Sequence, residues 1–371
     1  MKILKYFSLF SGIGAFEKAI SNLNISYELV GYSEIDKDAS KSYSAIHNVS
    51  ESLNLGDITK IDASNLPKDI DLITYGFPCQ DISISGKMRG LFNEDGTQTR
   101  SGLFFDALRI IKETQPKIAI AENVKNLTSK RFSEQFHLVL NSLEDAGYNN
   151  YWKVLCAKDY GLPQKRERVF IVSIRKDIDD GKFSFAEPID LDKTFIDLQE
   201  TNVDEKYYLP LPSQYENVSE RFFRQAIETL KENNCSIGNT IDAFNKKVGD
   251  GVYCPTLTTR PEGFKTAILI VSKKNDELCA RKITPLECWR VQGFTDEDYY
   301  KALSVVSERK LYKQAGNSIA VSVIENGILK KLLRYFIEFT NGGCVDCDEC
   351  EHRSEDCLCD ISENDEPCPL I

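Results

Sequence analysis

Along the first 180 residues one pattern recurs: a short run of β-branched or aromatic residues, a loop with Gly, Asn or Pro, then a segment whose apolar residues recur with helical period. Six runs read as strands: KYFSLF (Lys5 to Phe10), YELVGYSE (Tyr27 to Glu34), DLITYG (Asp71 to Gly76), KIAIAEN (Lys117 to Asn123), YWKVLCA (Tyr151 to Ala157) and RVFIVSI (Arg168 to Ile174). Between the third and fourth, SGLFFDALRIIKETQP sets Leu103, Ala107, Leu108 and Ile111 on one helical face. Strands alternating with helices predict an α/β fold.

Beyond about Arg175 the alternation breaks into KDIDDGKFSFAEPIDLDK and a mixed region without clean periods. The pattern therefore predicts a first domain over 1–180, a smaller one over 181–282, and a return to the first over 283–340. That return includes an amphipathic helix over IAVSVIENGILKKLLRYFIEF (Ile319 to Phe339), with Val323, Ile324, Ile328, Leu332 and Phe336 facing inward. Residues 341–371, acidic and polar after two glycines, read as an appendage too poor in apolar residues to fold by itself.

The length, 371 residues, suits two domains. No window approaches the roughly 18 consecutive apolar residues of a membrane span, and the N-terminal run lacks a small-residue cleavage site, so the expectation is a soluble, cytoplasmic protein without a membrane partner. The net charge of −11 changes meaning once located: the stretch from Asn341 holds ten Asp/Glu and one Arg, leaving 47 acidic and 45 basic residues elsewhere. A polyanionic partner is neither favoured nor excluded by charge. The twelve cysteines divide likewise, six in the tail and six in the body without disulfide-like spacing, and the latter read as reduced thiols.

Four clusters carry candidate chemistry. FSLFSGIGAFEKA is a strand, then Gly12 and Gly14, then a helix, where a backbone turns tightly against a ligand; Glu34 closes the next strand, placed to hold ribose hydroxyls. The pair suits a dinucleotide or an adenosyl cofactor, the missing third glycine lowers the dinucleotide reading, and glycines that merely turn the chain would look the same. Cys79, in TYGFPCQDISISG, sits at the carboxyl end of a strand, on the rim where α/β folds bind ligands; it is either a nucleophile or a small buried hydrophobe. Glu122, at the end of the following strand, is an acid beside that thiol or a helix cap. Arg166 and Arg168 alternate into a strand, so both side chains go to one side, as forks for phosphate, carboxylate or a base carbonyl or as solvated edge charges.

Taken in order, FSLFSGIGAFEKA, GYSEID, GDIT, GFPCQDIS, RSGLFFDALRI, ENV, LPQKRERVFIV, RKITPLECWRVQGF and QAGNSIAVSVIENGI resemble the cytosine-5 DNA methyltransferase family over residues 5 to 330. The resemblance implies a Rossmann-like S-adenosylmethionine-dependent methyltransferase sheet with a second, smaller target-recognition domain. It implies that Cys79 adds to carbon 6 of a flipped cytosine, Glu122 holds and protonates N3, Arg168 binds O2 and Arg166 supports the thiolate and nearby backbone. Phe10, Gly12, Gly14, Glu34, Asp57, Ile58, Leu103, Asn317 and Ser318 match the family's cofactor positions; Ile35 stands where an aromatic residue usually follows the ribose-binding acid. No dedicated base for loss of the carbon-5 proton emerges, since His47, His137 and His352 lie in no motif; water is the implied acceptor.

By the same resemblance, Gln80 to Gly102 corresponds to the loop that closes over the base, with Gln80 and Ser83 as DNA contacts. CPTLTTRPEGFK (Cys254 to Lys265) matches the recognition signature, making Thr256, Thr258 and Arg260 DNA contacts too. The implied partner is double-stranded DNA, with a separately encoded restriction endonuclease if the enzyme is not an orphan, and the chain is expected to be a monomer. The rivals are an RNA cytosine-5 methyltransferase, a silent DNA-binding module and a redox or metal protein built on the tail. Cys344, Cys347, Cys350 and Cys357, with Cys359 and Cys368, have a density that suits zinc, faintly an iron–sulfur cluster, or a reduced disordered tail; no metal is assigned.

Overall fold

The computed structural model describes residues 3–83, 88–213, 220–263 and 265–341. Its centre is a six-stranded sheet in the order β2-β1-β3-β4-β6-β5, built from β1 (Leu4–Leu9), β2 (Tyr27–Ser33), β3 (Leu72–Tyr75), β4 (Ile118–Val124), β5 (Tyr148–Cys156) and β6 (Glu167–Arg175). The first four are parallel, and β6 runs antiparallel to both β4 and β5. Beyond β2 one parallel bridge, Tyr32 to Asn54, marks the place of a further strand.

All six runs read from the sequence are strands, because their residues alternate between two apolar layers. On β4, Ile118 and Ile120 join one core while Ala119 and Ala121 join the other; on β6, Phe170 and Val172 oppose Val169 and Ile171. One face is covered by α3 (Phe104–Thr114) and α4 (Ser133–Asp145). The other is covered by α1 (Ala15–Asn22) and by residues from the end of the chain: α6 (Pro285–Val291), α7 (Asp296–Leu303), α8 (Glu308–Asn317), α9 (Val321–Ile324) and α10 (Lys330–Asn341). Val323, Ile324, Ile328, Leu332 and Phe336 are buried as the periodicity predicts, but the final helix differs in detail. Ile319 and Ala320 lie outside it, and a π-turn over Glu325–Leu329 separates α9 from α10.

A second sheet, antiparallel and ordered β10-β9-β7-β8, is formed by β7 (Thr240–Asp242), β8 (Lys247–Gly249), β9 (Leu269–Lys274) and β10 (Glu277–Lys282). Together with α5 (Arg221–Glu232) it encloses a small core of Leu209, Ala226, Leu230, Ile241, Leu269, Val271 and Ala280. The two cores meet through β9, since Ile268 and Ile270 turn to the large core while Leu269 and Val271 turn to the small one. A buried ion pair fastens the junction: Arg281 on β10 grips Glu287 on α6, Nη2 to Oε1 2.6 Å, while Glu287 caps α6 through the Thr284 N–H. Phe183, Phe185 and Phe195, and further on Cys254 and Leu257, pack in the large core.

Among the described residues no helix is long and apolar enough to cross a membrane. The tail cysteines Cys344, Cys347, Cys350 and Cys357 lie outside the described residues, within which no His/Cys/Asp/Glu group could hold a metal.

Candidate active site

The strand order turns back between β1 and β3, and at the carboxyl ends of those strands open α/β sheets form their ligand crevice. The chain after β1 supplies the glycine turn, that after β3 supplies Cys79, and the end of β4 supplies Glu122.

Cys79 sits in a tight turn: its carbonyl accepts the N–H groups of Ile82 (3.0 Å) and Ser83 (2.8 Å). Asn123 fixes the approach to that turn from β4, its Nδ2 donating to the Phe77 carbonyl at 3.0 Å. Glu122 follows Ile118 and Ile120 in strand alternation, and Arg168 precedes Phe170 and Val172, so both side chains leave the sheet on one face. They meet there, Arg168 Nε 3.0 Å from Glu122 Oε1.

These groups perturb one another through burial and charge. Burial, then the Glu122 charge, lifts the Cys79 thiol above its ordinary value, while Arg168 and Arg166 oppose the rise. Burial also lifts the Glu122 carboxyl, against the pull of the same two guanidinium groups. A carboxyl raised in this way is poised to keep or give up a proton beside a nucleophile.

Arg166 departs from the alternation read in the sequence. It precedes β6 rather than lying in it, is 3 % exposed, and spends its donors on backbone. Nη1 donates to the Leu257 carbonyl (3.1 Å), and Nη2 to those of Gly316 (3.0 Å) and Ser318 (2.7 Å). Burial brings its pKa down to about 9, which still leaves a cation at neutral pH. It is a clamp on two chain segments, around Leu257 and at the end of α8, not a solvated edge charge.

The cofactor candidates line the neighbouring part of the crevice. Phe10 and Gly12 both take left-handed backbone (φ 52° and 58°), as does Gly14 before α1 (81°). A side chain on Gly12 would meet nothing within 4 Å, so that turn faces open space. The Gly12 N–H donates to Glu34 Oε2 (2.9 Å), and Asp36 N–H donates to Oε1 (2.7 Å). Burial raises the Glu34 carboxyl and those two N–H groups oppose it. The Ser11 hydroxyl is buried with no hydrogen-bond partner among the described residues. An orphaned hydroxyl, an open glycine turn and a carboxylate with lone pairs to spare fit a ligand bearing donor hydroxyls, as an adenosyl group does. Asp57 caps a short turn in which Ile58 is buried, and Arg109 of α3 holds that turn through the carbonyls of Ile58 (3.1 Å) and Ile61 (2.8 Å). Ile35 is 73 % exposed, Leu103 half-buried, Asn317 exposed at the end of α8, and Ser318 buried.

The DNA candidates lie on the rim. Gln80 is exposed and accepts from Arg100 Nη1 (2.8 Å); Ser83 is half-buried. Thr256 and Arg260 are exposed, the Thr256 hydroxyl donates to the Lys165 carbonyl, and Thr258 is half-buried with its Oγ1 accepting the Arg260 N–H.

Several residues that organise the site escaped the sequence reading. Asn54 grips Glu34 at both ends of its backbone, Oδ1 from its N–H and Nδ2 to its carbonyl, each 3.0 Å. Buried Asp81 accepts both Nε (3.1 Å) and Nη2 (2.9 Å) of Arg89, closing the base of the loop after Cys79. Gln164 and Gln292 are buried amides behind Arg166. Their sequence neighbours gave little signal: Gln164 stands beside Lys165 and Arg166 in the loop before β6, and Gln292 follows the last residue of α6.

Residues 4–334 match the C-5 cytosine-specific DNA methylase family. A type II methyltransferase of Lactococcus lactis subsp. cremoris, M2.ScrFI, is 34% identical over 383 residues, covering 90% of this chain and 99% of that protein. The orphan methyltransferase M.SPRI of Bacillus phage SPR is 33% identical over 441 residues, covering 90% and 98%. In three dimensions the chain resembles the Dnmt2 methyltransferase of S. pombe, TM-score 0.63 at 22% identity, covering 90% and 98%. With that match spanning nearly the whole sheet, crevice and second core, the chain belongs to the C-5 cytosine-specific DNA methylase family and is a DNA cytosine-5 methyltransferase.

Proposed function

We propose that the enzyme methylates carbon 5 of a cytosine flipped out of a specific double-stranded DNA sequence, through a covalent bond between Cys79 and carbon 6. The observation that carries this is the Cys79, Glu122 and Arg168 constellation, in which a lifted thiol faces a lifted carboxyl held by a guanidinium group. Carbon 5 of a pyrimidine is a poor nucleophile until carbon 6 is attacked. The Cys79 thiolate forms the C6–S bond, and its electron pair moves through the ring toward N3. Glu122, bonded to N3, gives a proton there so that no negative charge builds up unpaired. Arg168 orients the Glu122 carboxylate and reaches the base carbonyl as a second donor. Loss of the carbon-5 proton, to water, restores the C5=C6 bond as the C6–S bond breaks, which returns the thiolate, and N3 hands its proton back to Glu122.

Phe10, Gly12, Gly14, Glu34, Asp57, Ile58, Leu103, Asn317 and Ser318 would hold S-adenosylmethionine, with Glu34 on the ribose hydroxyls. When bound, this cofactor supplies the electrophilic methyl group that carbon 5 takes. Flipping the base costs a few kcal/mol of stacking, recovered from contacts on the rim. Gln80, Ser83, Thr256, Thr258 and Arg260 are our candidates for those contacts, on the loop after Cys79 and on the segment entering the second sheet, which we read as the target-recognition domain. A type II context with a separately encoded endonuclease and an orphan context both accord with the relatives. The RNA reading is less supported, since the matching family acts on DNA and likeness to Dnmt2 at 22% identity shows the fold alone.

Bisulfite sequencing of DNA from a methylation-deficient bacterial host expressing the protein, beside one expressing Cys79→Ser, tests the reading. Protected cytosines within one short motif, lost in the variant, are expected. Absence of protection with the folded, cofactor-binding parent would overturn DNA as the substrate.

A further inference from the structure

Residues 164–167 alternate in burial. Gln164 and Arg166 point inward, Lys165 and Glu167 outward. The inward pair closes on both backbone groups of one residue 91 to 93 positions away: Gln164 Oε1 accepts the Leu257 N–H (3.2 Å), and Arg166 Nη1 donates to the Leu257 carbonyl (3.1 Å). Leu257 belongs to no strand among the described residues; its neighbour Cys254 makes one parallel bridge to Gln164. Side-chain amide and guanidinium thus do for this segment what a sheet ladder does elsewhere.

Gln164 is itself held. Its Nε2 donates to the Val291 carbonyl (3.2 Å) and lies 3.4 Å from Gln292 Oε1, and Gln292 Nε2 donates to the Ala315 carbonyl (2.6 Å). Both glutamines are fully buried. The Gln292 carbonyl accepts the Val321 N–H (2.9 Å), so the row of bonds runs from the recognition segment through α6 to the end of α8. One residue beyond Leu257 is Thr258, and three beyond is Arg260. Two residues beyond Arg166 is Arg168, on Glu122.

We infer that Gln164, braced by Gln292, is a positioning residue for sequence recognition: it fixes the Leu257 peptide, and with it Thr258 and Arg260, in register with the Cys79 pocket. The inference rests on the reading of Thr258 and Arg260 as DNA contacts. An amide is what the place needs, because one end must accept and the other donate inside a dry interface, and loss of either end leaves a buried backbone group without a partner. Gln164 touches neither base nor cofactor, so its effect falls on discrimination rather than on cofactor binding.

The test compares kcat/KM on a duplex bearing the motif found by bisulfite sequencing with kcat/KM on the same duplex carrying one changed base pair. Gln164→Met keeps volume and removes both bonds; the ratio is expected to fall by about tenfold, the scale of one base contact, with S-adenosylmethionine affinity by calorimetry unchanged. Equal slowing on both duplexes, with the ratio preserved, would overturn the inference and leave Gln164 a packing residue. If Gln164→Met does not fold, Gln292→Met carries the same expectation in weaker form, since it unbraces the amide without removing the Leu257 acceptor; an unchanged ratio there overturns the inference too. Arg260→Ala separates the two levels. If it alters neither DNA affinity nor the ratio, the reading of the segment as a DNA contact fails, whereas an effect of Arg260→Ala with none from either glutamine variant sinks the positioning role by itself.

Discussion

Gly316, in the last turn of α8, offers a substitution on which two physical arguments disagree in sign. Helix propensity says that Gly→Ala inside a helix stabilises by up to about 1 kcal/mol. The packing says the reverse. A Cβ on Gly316 would lie 2.1 Å from the Thr258 carbonyl oxygen, 2.4 Å from its carbon and 2.6 Å from the Thr259 nitrogen, against 3.4 Å where ordinary contact begins. All three are backbone atoms, so no side chain can swing away, and one segment must retreat by more than 1 Å. If α8 retreats, Arg166 loses the Gly316 and Ser318 carbonyls. If the recognition segment retreats, Leu257 loses Arg166 and Gln164. Either way two buried hydrogen bonds, at least one of them charge-assisted, break at a net cost of about 1–2 kcal/mol each. With about 1–3 kcal/mol for overpacking, and less the helix-propensity gain, Gly316→Ala is expected to destabilise by about 2–6 kcal/mol. Urea unfolding followed by circular dichroism should show the midpoint lowered by about 1 M or more. A midpoint equal to or above the parent's would refute the reasoning and hand the position to helix propensity.

Further outcomes follow from the charges and backbone of the crevice. Removing the Glu122 charge with Glu122→Gln should speed iodoacetamide alkylation of Cys79, because the carboxylate is one cause of the raised thiol, while methylation drops by about 10²–10⁴-fold for want of the N3 acid; slower alkylation would contradict that coupling. The same variant carries a pH signature: a carboxyl raised in the folded state contributes stability below the ordinary carboxylate range and loses it as pH rises through the raised value. Glu122→Gln should therefore exceed the parent in stability near neutral pH and lose that advantage near about pH 4, where both are uncharged, as urea midpoints against pH would show. Gly12→Ala must hold φ 58°, at about 1–2 kcal/mol of folding stability, and puts a methyl group into the open space where the cofactor would sit, so the thermal midpoint should fall by a few degrees and S-adenosylmethionine binding by calorimetry should weaken about tenfold.

The central sheet was legible because its inner strands are buried on both faces and all six are rich in β-branched or aromatic residues bounded by turn residues, and the site was legible because its residues sit at strand ends. The second sheet was not. β7 and β8 are three residues long, and β9 with the residue before it sends Ile268 and Ile270 to one core and Leu269 and Val271 to the other, so both faces are apolar and no polar alternation shows. Arg166 was misplaced for a related reason: alternation treats it as a strand residue, whereas it belongs to the loop before β6 and answers to carbonyls 91 to 152 residues away. Asn54 and Gln164 show the same limit, since a polar residue's partner across the fold leaves no mark in local pattern. The helix near the end was correct in face and off in its start, because a π-turn lets Ile328 and Leu332 keep facing the core across an extra residue.

That closing stretch has a consequence for how the protein is made. Most of the layer that covers one side of the central sheet is supplied by residues 285 to 336, so while the first 280 residues emerge from the ribosome, Leu4, Tyr6, Ile118, Ile120, Phe170 and Val172 have only part of their cover, α1 among it. The sheet can pair early, but its apolar side is sealed last. A ribosome stalled before Pro285 would release a chain with its strands present and much of that surface bare, prone to aggregation and to proteolysis, and a cell would gain functional enzyme only once the closing helices are made.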